Sequence, residues 1–337
     1  MKLRIGVIGQ GRDWQSRYLP ALRAMRDRFH IVGFYNSVHA LAENSAREFD
    51  AVSFASFRDL LAADGLDGVL VLEEGWYGLV PLLVAAHEGK AVFCGAEIDL
   101  TTTEASDLQK RIQGSGVAFM TEFSRRFAPA TIRLKELIAT RIGQPRLLFC
   151  HRRLACESKQ VRNNRSLESR TQRELVELID WCNYIVGTPP SWVQAIAHQG
   201  RTDSNAKDYQ IVSVGFGDPE EDPNSVLAQI SCGAYIPEIW REAIAYRPPA
   251  AIQVCCENGL AFVDLPSTLV WFDDAGRHQE SLDTELPVGQ QMFSLFHRAV
   301  TSLVRNVSDL EQTCTAMRIL DHARSSTETH RRIPIEH

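Results

Sequence analysis

Short apolar runs of strand length alternate with segments of helical period over the first third of the chain. The first run begins at Leu3, and the helical pattern that follows it extends from about Trp14 to Phe29. Further strands are predicted at 31–35, 52–54, 68–72, 91–94 and 117–120, and further helices at 40–49, 57–63, 79–87 and 103–113. Strict alternation of this kind predicts an α/β domain over residues 1–122, with a doubly wound parallel sheet.

The rhythm changes beyond residue 122, where strand-like runs crowd together between turns rich in Gly, Pro, Asp and Asn. A strong helical pattern at 171–186 follows a polar stretch, 157–169, that has no apolar periodicity. The other predicted helices are 129–141, 289–305 and 309–329, and the predicted strands are 146–153, 192–197, 210–216, 226–235, 252–257, 259–265 and 269–273. Residues 123–337 are therefore predicted to form an α+β domain whose mostly antiparallel sheet has helices on one face and leaves the other open to a partner.

Composition and charge restrict the class of function. The 337 residues suffice for two domains, and the hydrophobic fraction of 45% and charged fraction of 23% are ordinary for a globular protein. With 36 Lys and Arg against 42 Asp and Glu, the net charge of −6 disfavours binding to nucleic acid or to an anionic membrane. The eight cysteines are scattered without a C-x-x-C, and no apolar run approaches the roughly 20 residues of a membrane span. We therefore expect a cytoplasmic protein without a metal site.

The junction between the first strand and the first helix carries Gly9-Gln10-Gly11. Two glycines at such a junction let the backbone approach a pyrophosphate, and the helix N-terminus then directs its free N–H groups at it. In the complete G-x-G-x-x-G pattern the third position is Gly or Ala, whereas here it is Trp14. The pattern favours a Rossmann-type dinucleotide site at Gly9 and Gly11, and an ordinary strand-to-helix turn is the alternative.

The residues after the second predicted strand bear on the choice of cofactor. Asn36 stands where NAD-binding enzymes place a carboxylate for the ribose hydroxyls. Without that carboxylate, NAD loses a hydrogen-bond partner and the 2′-phosphate of NADP loses a repulsive neighbour. Arg12 and Ser37 could then bind the phosphate, so NADP is favoured over NAD as the NAD(P) cofactor. The alternative for Arg12 is a solvated loop charge.

Five stretches of the sequence carry a resemblance. They are Tyr18-Leu19-Pro20-Ala21-Leu22, Gly89-Lys90-Ala91-Val92-Phe93-Cys94, Arg125-Arg126-Phe127-Ala128-Pro129, Ile142-Gly143-Gln144-Pro145, and Asp180-Trp181 with Gly187 seven residues after the aspartate. They resemble the Gfo/Idh/MocA oxidoreductase family, which includes glucose-fructose oxidoreductase and inositol dehydrogenase. The resemblance covers nearly the whole chain. It implies hydride transfer between a nicotinamide and a small-molecule sugar or polyol derivative in the interdomain cleft, and a homo-oligomer that buries the open sheet face of the C-terminal domain.

The residues that carry chemistry in that family differ here. Its enzymes usually follow the fifth strand with Glu-Lys-Pro, whose lysine lies by the nicotinamide and the substrate hydroxyl, and this chain has Gly95-Ala96-Glu97. The family's His-x-x-Asp, whose imidazole takes the hydroxyl proton, corresponds to Glu177-Leu178-Ile179-Asp180. The glycine loop is also one residue longer than usual. The chain thus resembles a divergent member without the family's lysine and histidine.

Four residues are candidates for catalysis or substrate binding. Glu177 and Asp180 are three apart on one helix face, where a buried pair of carboxylates would raise one pKa toward that of a useful base or acid. An ion pair of Glu177 with Arg173, four residues earlier, is the alternative. Glu97 follows the fifth strand at the edge where open α/β sheets bind ligands. Arg126 is expected to bind the substrate or, in the alternative, to anchor the junction between the domains.

Three functions are compatible with these observations. The first is an NAD(P)-dependent oxidoreductase in which Glu177 or Asp180 handles the substrate proton. The second is a non-catalytic descendant that keeps the fold to bind a nucleotide or a sugar. The third is a lyase or isomerase that uses a tightly held cofactor transiently, because this fold hosts such chemistry too. An acid–base group near C4 of the bound nicotinamide would distinguish the first from the second.

Overall fold

The computed structural model describes residues 1–73, 75–95, 102–156, 164–199, 209–217, 222, 224–302 and 308–336. The chain divides into two compact units. The first unit contains Met1–Ser124 and Leu286–Cys314, and the second contains Arg125–Glu285 and Thr315–His337. The predicted division at residue 122 is continuous in sequence, whereas these units are not, because Leu286–Cys314 belongs with the first.

The first unit begins with an alternation of strands and helices. The strands are β1 (Leu3–Ile8), β2 (Phe29–Tyr35), β3 (Val52–Ser53), β4 (Gly68–Val71), β5 (Ala91–Cys94) and β6 (Phe119–Thr121). The helices are α1 (Leu19–Ala24), which a π-helical turn (Trp14–Tyr18) precedes, and then α2 (His39–Phe49), α3 (Phe57–Leu61), α4 (Val80–His87) and α5 (Thr102–Ser115). The predicted first helix is too long by five residues, because Phe29 pairs with Leu3 as the first residue of β2.

The strands of this unit pair in parallel in the order β3-β2-β1-β4-β5-β6. This is the strand order of a Rossmann fold, and the direction of winding reverses between β1 and β4. Strands β4 and β5 are buried at every position, as expected when helices cover both faces of a parallel sheet. The predicted doubly wound α/β fold is confirmed, and the loop after β1 lies at the switch point where such folds bind ligands.

The second unit is built around a nine-stranded sheet in the part of the chain that the structure describes. Its elements are α6 (Pro129–Leu137), β7 (Pro145–Cys156), α7 (Asn164–Val186), β8 (Trp192–His198), β9 (Tyr209–Phe216), β10 (Val226–Pro237), β11 (Ile252–Cys256), β12 (Gly259–Asp264), β13 (Thr268–Asp273) and β14 (Gly276–Ser281). The chain ends with α8 (Val288–Thr301), α9 (Ser308–Thr329) and β15 (Ile333–Pro334). The strand order is β14-β13-β12-β11-β7-β10-β9-β8-β15, and within these described strands β7 and β10 alone pair in parallel. The predicted mostly antiparallel sheet is confirmed.

Helix α7 covers one face of this sheet. It packs on β7 and β10 and contributes Leu175, Leu178 and Ile179 to the buried core. It begins at Asn164, inside the stretch that the sequence predicts to lack periodicity. The sequence does not predict strand β14, because its residues, GRHQES, are polar and four of the six are exposed at the edge of the sheet.

Helix α8 belongs to the first unit because its apolar face finds aromatic partners there. Its residues Met292, Phe293 and Phe296 are fully buried. The ring of Phe293 stacks on Tyr18 with centroids 6.1 Å apart and meets the ring of Phe29 at 5.9 Å. Periodicity predicts the helix itself, but the partner of its apolar face lies more than 250 residues away in the sequence.

Candidate functional site

The loop after β1 approaches the residues that follow β4. Gly9 and Gly11 have φ angles of +72° and +48°, in the left-handed region that favours glycine. A Cβ on Gly9 would lie 2.5 Å from the Cβ of Glu73, and one on Gly11 would overlap the carbonyl oxygen of Leu72. The close approach of these two segments at the switch point therefore requires both glycines.

The backbone amides of this loop suit an anion. Within the described residues, the amides of Gly11, Arg12 and Asp13 donate no hydrogen bond, and they precede the π-helical turn. Free amides at the start of a helical segment bind phosphate groups in dinucleotide-binding folds. The amide of Gln10, in contrast, lies 3.3 Å from Oε2 of Glu73. The loop therefore fits a cofactor pyrophosphate through residues 11–13, with one carboxylate close to it.

The π-helical turn accommodates the extra residue of the loop. The amide of Tyr18 donates to the carbonyl of Asp13, five residues earlier, at 3.3 Å. Turns of this kind occur singly in helices and are frequent at functional sites. Trp14 is only 5% exposed, and its ring packs edge-on against Phe34 of β2 at 5.9 Å. The residue at the third position of the glycine pattern thus fills the space between the helical segment and β2.

Asn36 belongs to a buried hydrogen-bond network rather than to an open surface. Its side chain accepts from the amide of Val38 at 2.8 Å and donates to the side chain of Gln10 at 3.4 Å. The Gln10 amide group in turn donates to the hydroxyl of Ser45. Asn36 is 5% exposed, so these contacts use both of its polar atoms and hold the loop.

The other two predicted cofactor residues lie at the surface. Arg12 and Ser37 are exposed, at the carboxyl ends of β1 and β2 respectively. Within the described residues no hydrogen bond or ion pair holds the Arg12 side chain, which is therefore available to a phosphate group.

A polar cluster that the sequence did not predict lies at the ends of β5 and β6. The carboxylate of Glu122 accepts from the guanidinium of Arg17 and from the hydroxyl of Tyr18. Burial, followed by the charge of Glu122, raises the pKa of Tyr18 well above its usual value, so the phenol remains a donor. A Cβ on Gly95 would lie 2.5 Å from the Tyr18 oxygen and 3.0 Å from a carboxylate oxygen of Glu122.

Glu122 thus occupies the space beside Gly95, the position at which the family pattern has a glutamate. In this chain the carboxylate is that of Glu122, which follows β6, the strand that pairs with β5. The sequence offers one signal for it, a carboxylate directly after the buried residues of β6.

Two arginines bind three carboxylates on one face of α7. Glu174, Glu177 and Asp180 recur every third residue, a spacing that places them along one helix face. Arg125 donates to Glu174 at 2.6 Å and also to Glu177. Arg126 donates through Nε to Asp180 at 2.6 Å and through Nη2 to the second oxygen of that carboxylate. The side chains of Arg126 and Asp180 are 5% and 1% exposed, so this bidentate pair is buried.

The predicted site residues of α7 therefore have separate partners. Glu177 lies between Arg125 and Arg173, whose Nε is 3.6 Å from its other oxygen, so the alternative reading of an ion pair with Arg173 is present in the structure. The structure gives each of the two carboxylates its own guanidinium instead of coupling Glu177 to Asp180. Arg126 is only 4% exposed. Glu97, the remaining candidate, lies outside the described residues.

Glu174 is the member of this network that sequence reasoning missed. It contacts Arg125 and lies 3.5 Å from Nε of Arg152 on β7. Burial opposes its ionisation, but the charges of Arg125 and Arg152 outweigh that effect and lower the pKa of Glu174. Its position three residues before Glu177 was the available signal, whereas its arginine partner is 49 residues away in the sequence.

The described residues hold no group of three or more His, Cys, Asp or Glu side chains that could bind a metal ion. Their helices also include none that is long and apolar enough to cross a membrane.

Comparisons with known proteins agree with the Rossmann-type fold of the first unit. The model of an oxidoreductase family with an NAD-binding Rossmann fold, GFO_IDH_MocA, matches residues 3–123. The chain is 27% identical to the inositol 2-dehydrogenase of Acidiphilium cryptum over 283 residues, which cover 82% of this chain and 78% of that protein. It is 26% identical to the 2,7-anhydro-N-acetylneuraminate hydratase of Escherichia coli over 242 residues, which cover 69% of this chain and 62% of the hydratase.

Among solved structures, the UDP-N-acetylglucosamine 3-dehydrogenase of Acidithiobacillus ferrooxidans superposes with a TM-score of 0.77. The superposition covers 98% of this chain and 99% of that one at 19% sequence identity. At that identity the likeness supports the fold over both units, and it says nothing about the substrate.

We expect the Glu174→Gln substitution to lower the free energy of unfolding of the second unit by about 3 kcal/mol at pH 7, because two arginines lose a buried partner. The folded-state pKa of Glu174 is lowered, so its contribution is complete above the ordinary pKa of 4.5 and is lost as the pH falls through the folded-state value. The difference between wild type and variant in urea unfolding, followed by tryptophan fluorescence, should therefore shrink from pH 6 toward pH 3.

The Glu136→Gln substitution is the control, because Glu136 pairs with Arg133 at the surface. It should change stability by less than about 0.5 kcal/mol at every pH. A deficit of Glu174→Gln that is the same at pH 6 and pH 3 would contradict the ionised state assigned to this carboxylate.

Proposed function

We propose that the chain is an NAD(P)-dependent oxidoreductase of the Gfo/Idh/MocA family that acts on a sugar or polyol derivative. The observation that carries the proposal is the loop at the switch point of the parallel sheet, where Gly9 and Gly11 have positive φ and the amides of residues 11–13 donate no hydrogen bond within the described residues. A bound nicotinamide cofactor would supply the hydride acceptor or donor. The protein would supply binding, orientation and proton transfer.

We assign the cofactor site to the loop Gly9–Gly11 and the surface side chains beside it. The amides of residues 11–13 would bind the pyrophosphate, while Arg12 and Ser37 would bind the 2′-phosphate of NADP. The amide side chain of Asn36 brings no negative charge to this position, which favours NADP over NAD. Asn36 itself would act indirectly, by fixing the loop through Gln10.

We assign proton transfer to Glu177. Oxidation of a substrate hydroxyl to a carbonyl releases a hydride from carbon and a proton from oxygen, and the proton needs an acceptor within hydrogen-bond reach. The Glu177 side chain is 22% exposed, whereas that of Asp180 is 1% exposed and committed to Arg126 at both oxygens. Asp180 then serves as a positioning residue for Arg126. Glu97, which lies outside the described residues, is the second candidate for proton transfer.

A lyase or hydratase that uses its cofactor transiently is the second candidate function. The similarity to the hydratase of Escherichia coli favours it. The two functions differ in their products, because an oxidoreductase accumulates reduced or oxidised cofactor in proportion to turnover and a hydratase does not. A non-catalytic descendant would bind a nucleotide or sugar without either product.

Activity is tested by mixing the protein with NADP⁺ or NAD⁺ and a panel of polyols and aldoses while the absorbance of the reduced nicotinamide is followed. We expect the Glu177→Gln variant to lower kcat by about 100-fold or more and to leave KM within a few-fold. Glu136→Gln is the control, because it replaces an exposed carboxylate of the same unit, which pairs with Arg133, without removing the assigned base. An unchanged kcat in Glu177→Gln would remove that residue from the mechanism, and turnover without cofactor reduction would favour the hydratase.

We also propose that the protein is a cytoplasmic homo-oligomer that buries the open face of the second sheet. Leu147 and Leu227 are paired across β7 and β10 on that face, and they are 39% and 37% exposed, beside Phe149 at 38%. An apolar face of this kind is usually covered by a partner. Seven of the described cysteines are free thiols, a state that a reducing compartment maintains.

Light scattering at micromolar concentration tests the assembly. We expect a dimer or a larger oligomer, and a shift toward the monomer in Leu227→Glu, because the charge would be buried in the interface. Val52→Glu places the same charge on an exposed residue of the first unit and should leave the mass unchanged. A wild-type monomer would contradict the assembly.

A further inference from the structure

The sheet of the second unit has a gap beside β7. Strand β11 pairs with β7 only as far as Ile252, opposite Cys150, whereas β10 continues beside β7 as far as Cys156. The chain before β11 turns away from the sheet at this point. A cavity of about 280 Å³ lies in the gap, with Pro248, Pro249 and Ala251 among the residues that line it.

The lining of this cavity combines apolar and cationic residues. Leu178 and Trp181 of α7, together with the two prolines, supply apolar surface. Arg125, Arg152 and Arg153 supply three guanidinium groups against one carboxylate in the lining, that of Asp264. A small pocket that combines apolar walls with a few charged groups is the usual form of a metabolite site.

The three arginines differ in whether carboxylates of the protein already neutralise their charge. Arg125 is 12% exposed and bound to Glu174 and Glu177, so it belongs to the framework of the site. Arg152 is 49% exposed, and its contact with Glu174 is long, at 3.5 Å. Arg153 donates to the backbone carbonyl of Tyr246 at 3.1 Å, a contact that orients the guanidinium without neutralising it. Arg152 and Arg153 are therefore the groups that can receive an anion.

A carboxylate matches these groups better than a dianionic phosphate does. Guanidinium groups bind carboxylates in bidentate geometry. Glu174 lies 3.5 Å from Arg152, and Asp264 lines the same cavity, so these two carboxylates would repel a dianion more strongly than a monoanion. Asp264 can also accept hydrogen bonds from hydroxyl groups, and the volume suits one monosaccharide rather than a nucleotide sugar.

We propose that this pocket binds a sugar acid, with the carboxylate on Arg152 and Arg153, a hydroxyl group on Asp264 and the apolar face of the sugar against Pro248 and Pro249. The inference rests on the proposed function, because it names the substrate class of that oxidoreductase. It predicts that an aldonic or uronic acid is bound in preference to the neutral polyol of the same length.

Binding is measured on the full chain by calorimetry without cofactor, so that the result does not depend on turnover. The probes are D-gluconate, D-glucuronate, the neutral polyol D-glucitol and D-glucose 6-phosphate. We expect one of the two acids to bind about tenfold or more tightly than D-glucitol, and its affinity to fall about tenfold in Arg152→Gln and in Arg153→Gln. Arg277→Gln removes an exposed charge from β14 of the same sheet and should leave the affinity unchanged.

The wild-type comparison stands even if a variant fails to fold. Equal affinities for the acids and D-glucitol, no binding of either acid, or tighter binding of D-glucose 6-phosphate would overturn the assignment. An unchanged affinity in both arginine variants would also overturn it. Failure of the oxidoreductase proposal would be seen separately, as an absence of cofactor binding in a protein that still binds the acid.

Discussion

The buried ion pairs between Arg125, Arg126 and the acidic face of α7 constrain the second unit more than any other interaction described here. Asp180 gives both carboxylate oxygens to Arg126, and Glu174 and Glu177 share Arg125. Removal of one partner would leave an uncompensated charge inside the protein, which costs about 3–5 kcal/mol in buried pairs. In the family pattern this helix face carries a histidine. In this chain it carries Glu177 and Asp180, and the ion pairs with Arg125 and Arg126 hold these two side chains in place.

The constraint on the first unit is geometric. Gly9 and Gly11 pass so close to Leu72 and Glu73 that a side chain at either position would collide with them. Within the described residues, the amides of residues 11–13 in the same loop donate no hydrogen bond, so they are available to an anion. The π-helical turn lets the loop retain this form despite its extra residue and the bulk of Trp14.

Most of the fold was predictable from the sequence, because apolar periodicity over neighbouring residues identifies most strands and helices. β5 has the predicted limits, and the change from a parallel to a mostly antiparallel sheet follows from the change of rhythm near residue 122. The misses have physical reasons. Strand β14 has no apolar signal, and the pairs of Arg125 with Glu174 and of Tyr18 with Glu122 join residues that are 49 and 104 positions apart. Local patterns identify charged side chains, but the tertiary fold decides which of them meet.

The central claim is that the loop after β1 binds a nicotinamide dinucleotide and that Arg12 recognises a 2′-phosphate. The most direct measurement is a titration of the purified protein with NADPH and NADH, followed by cofactor fluorescence, on wild type, Arg12→Ala and the control Arg47→Ala, whose arginine is exposed on α2. We expect micromolar binding of NADPH, NADH about tenfold weaker, and loss of that preference in Arg12→Ala alone. Absence of binding by either cofactor in the wild type would contradict the claim and favour a non-catalytic descendant of the family.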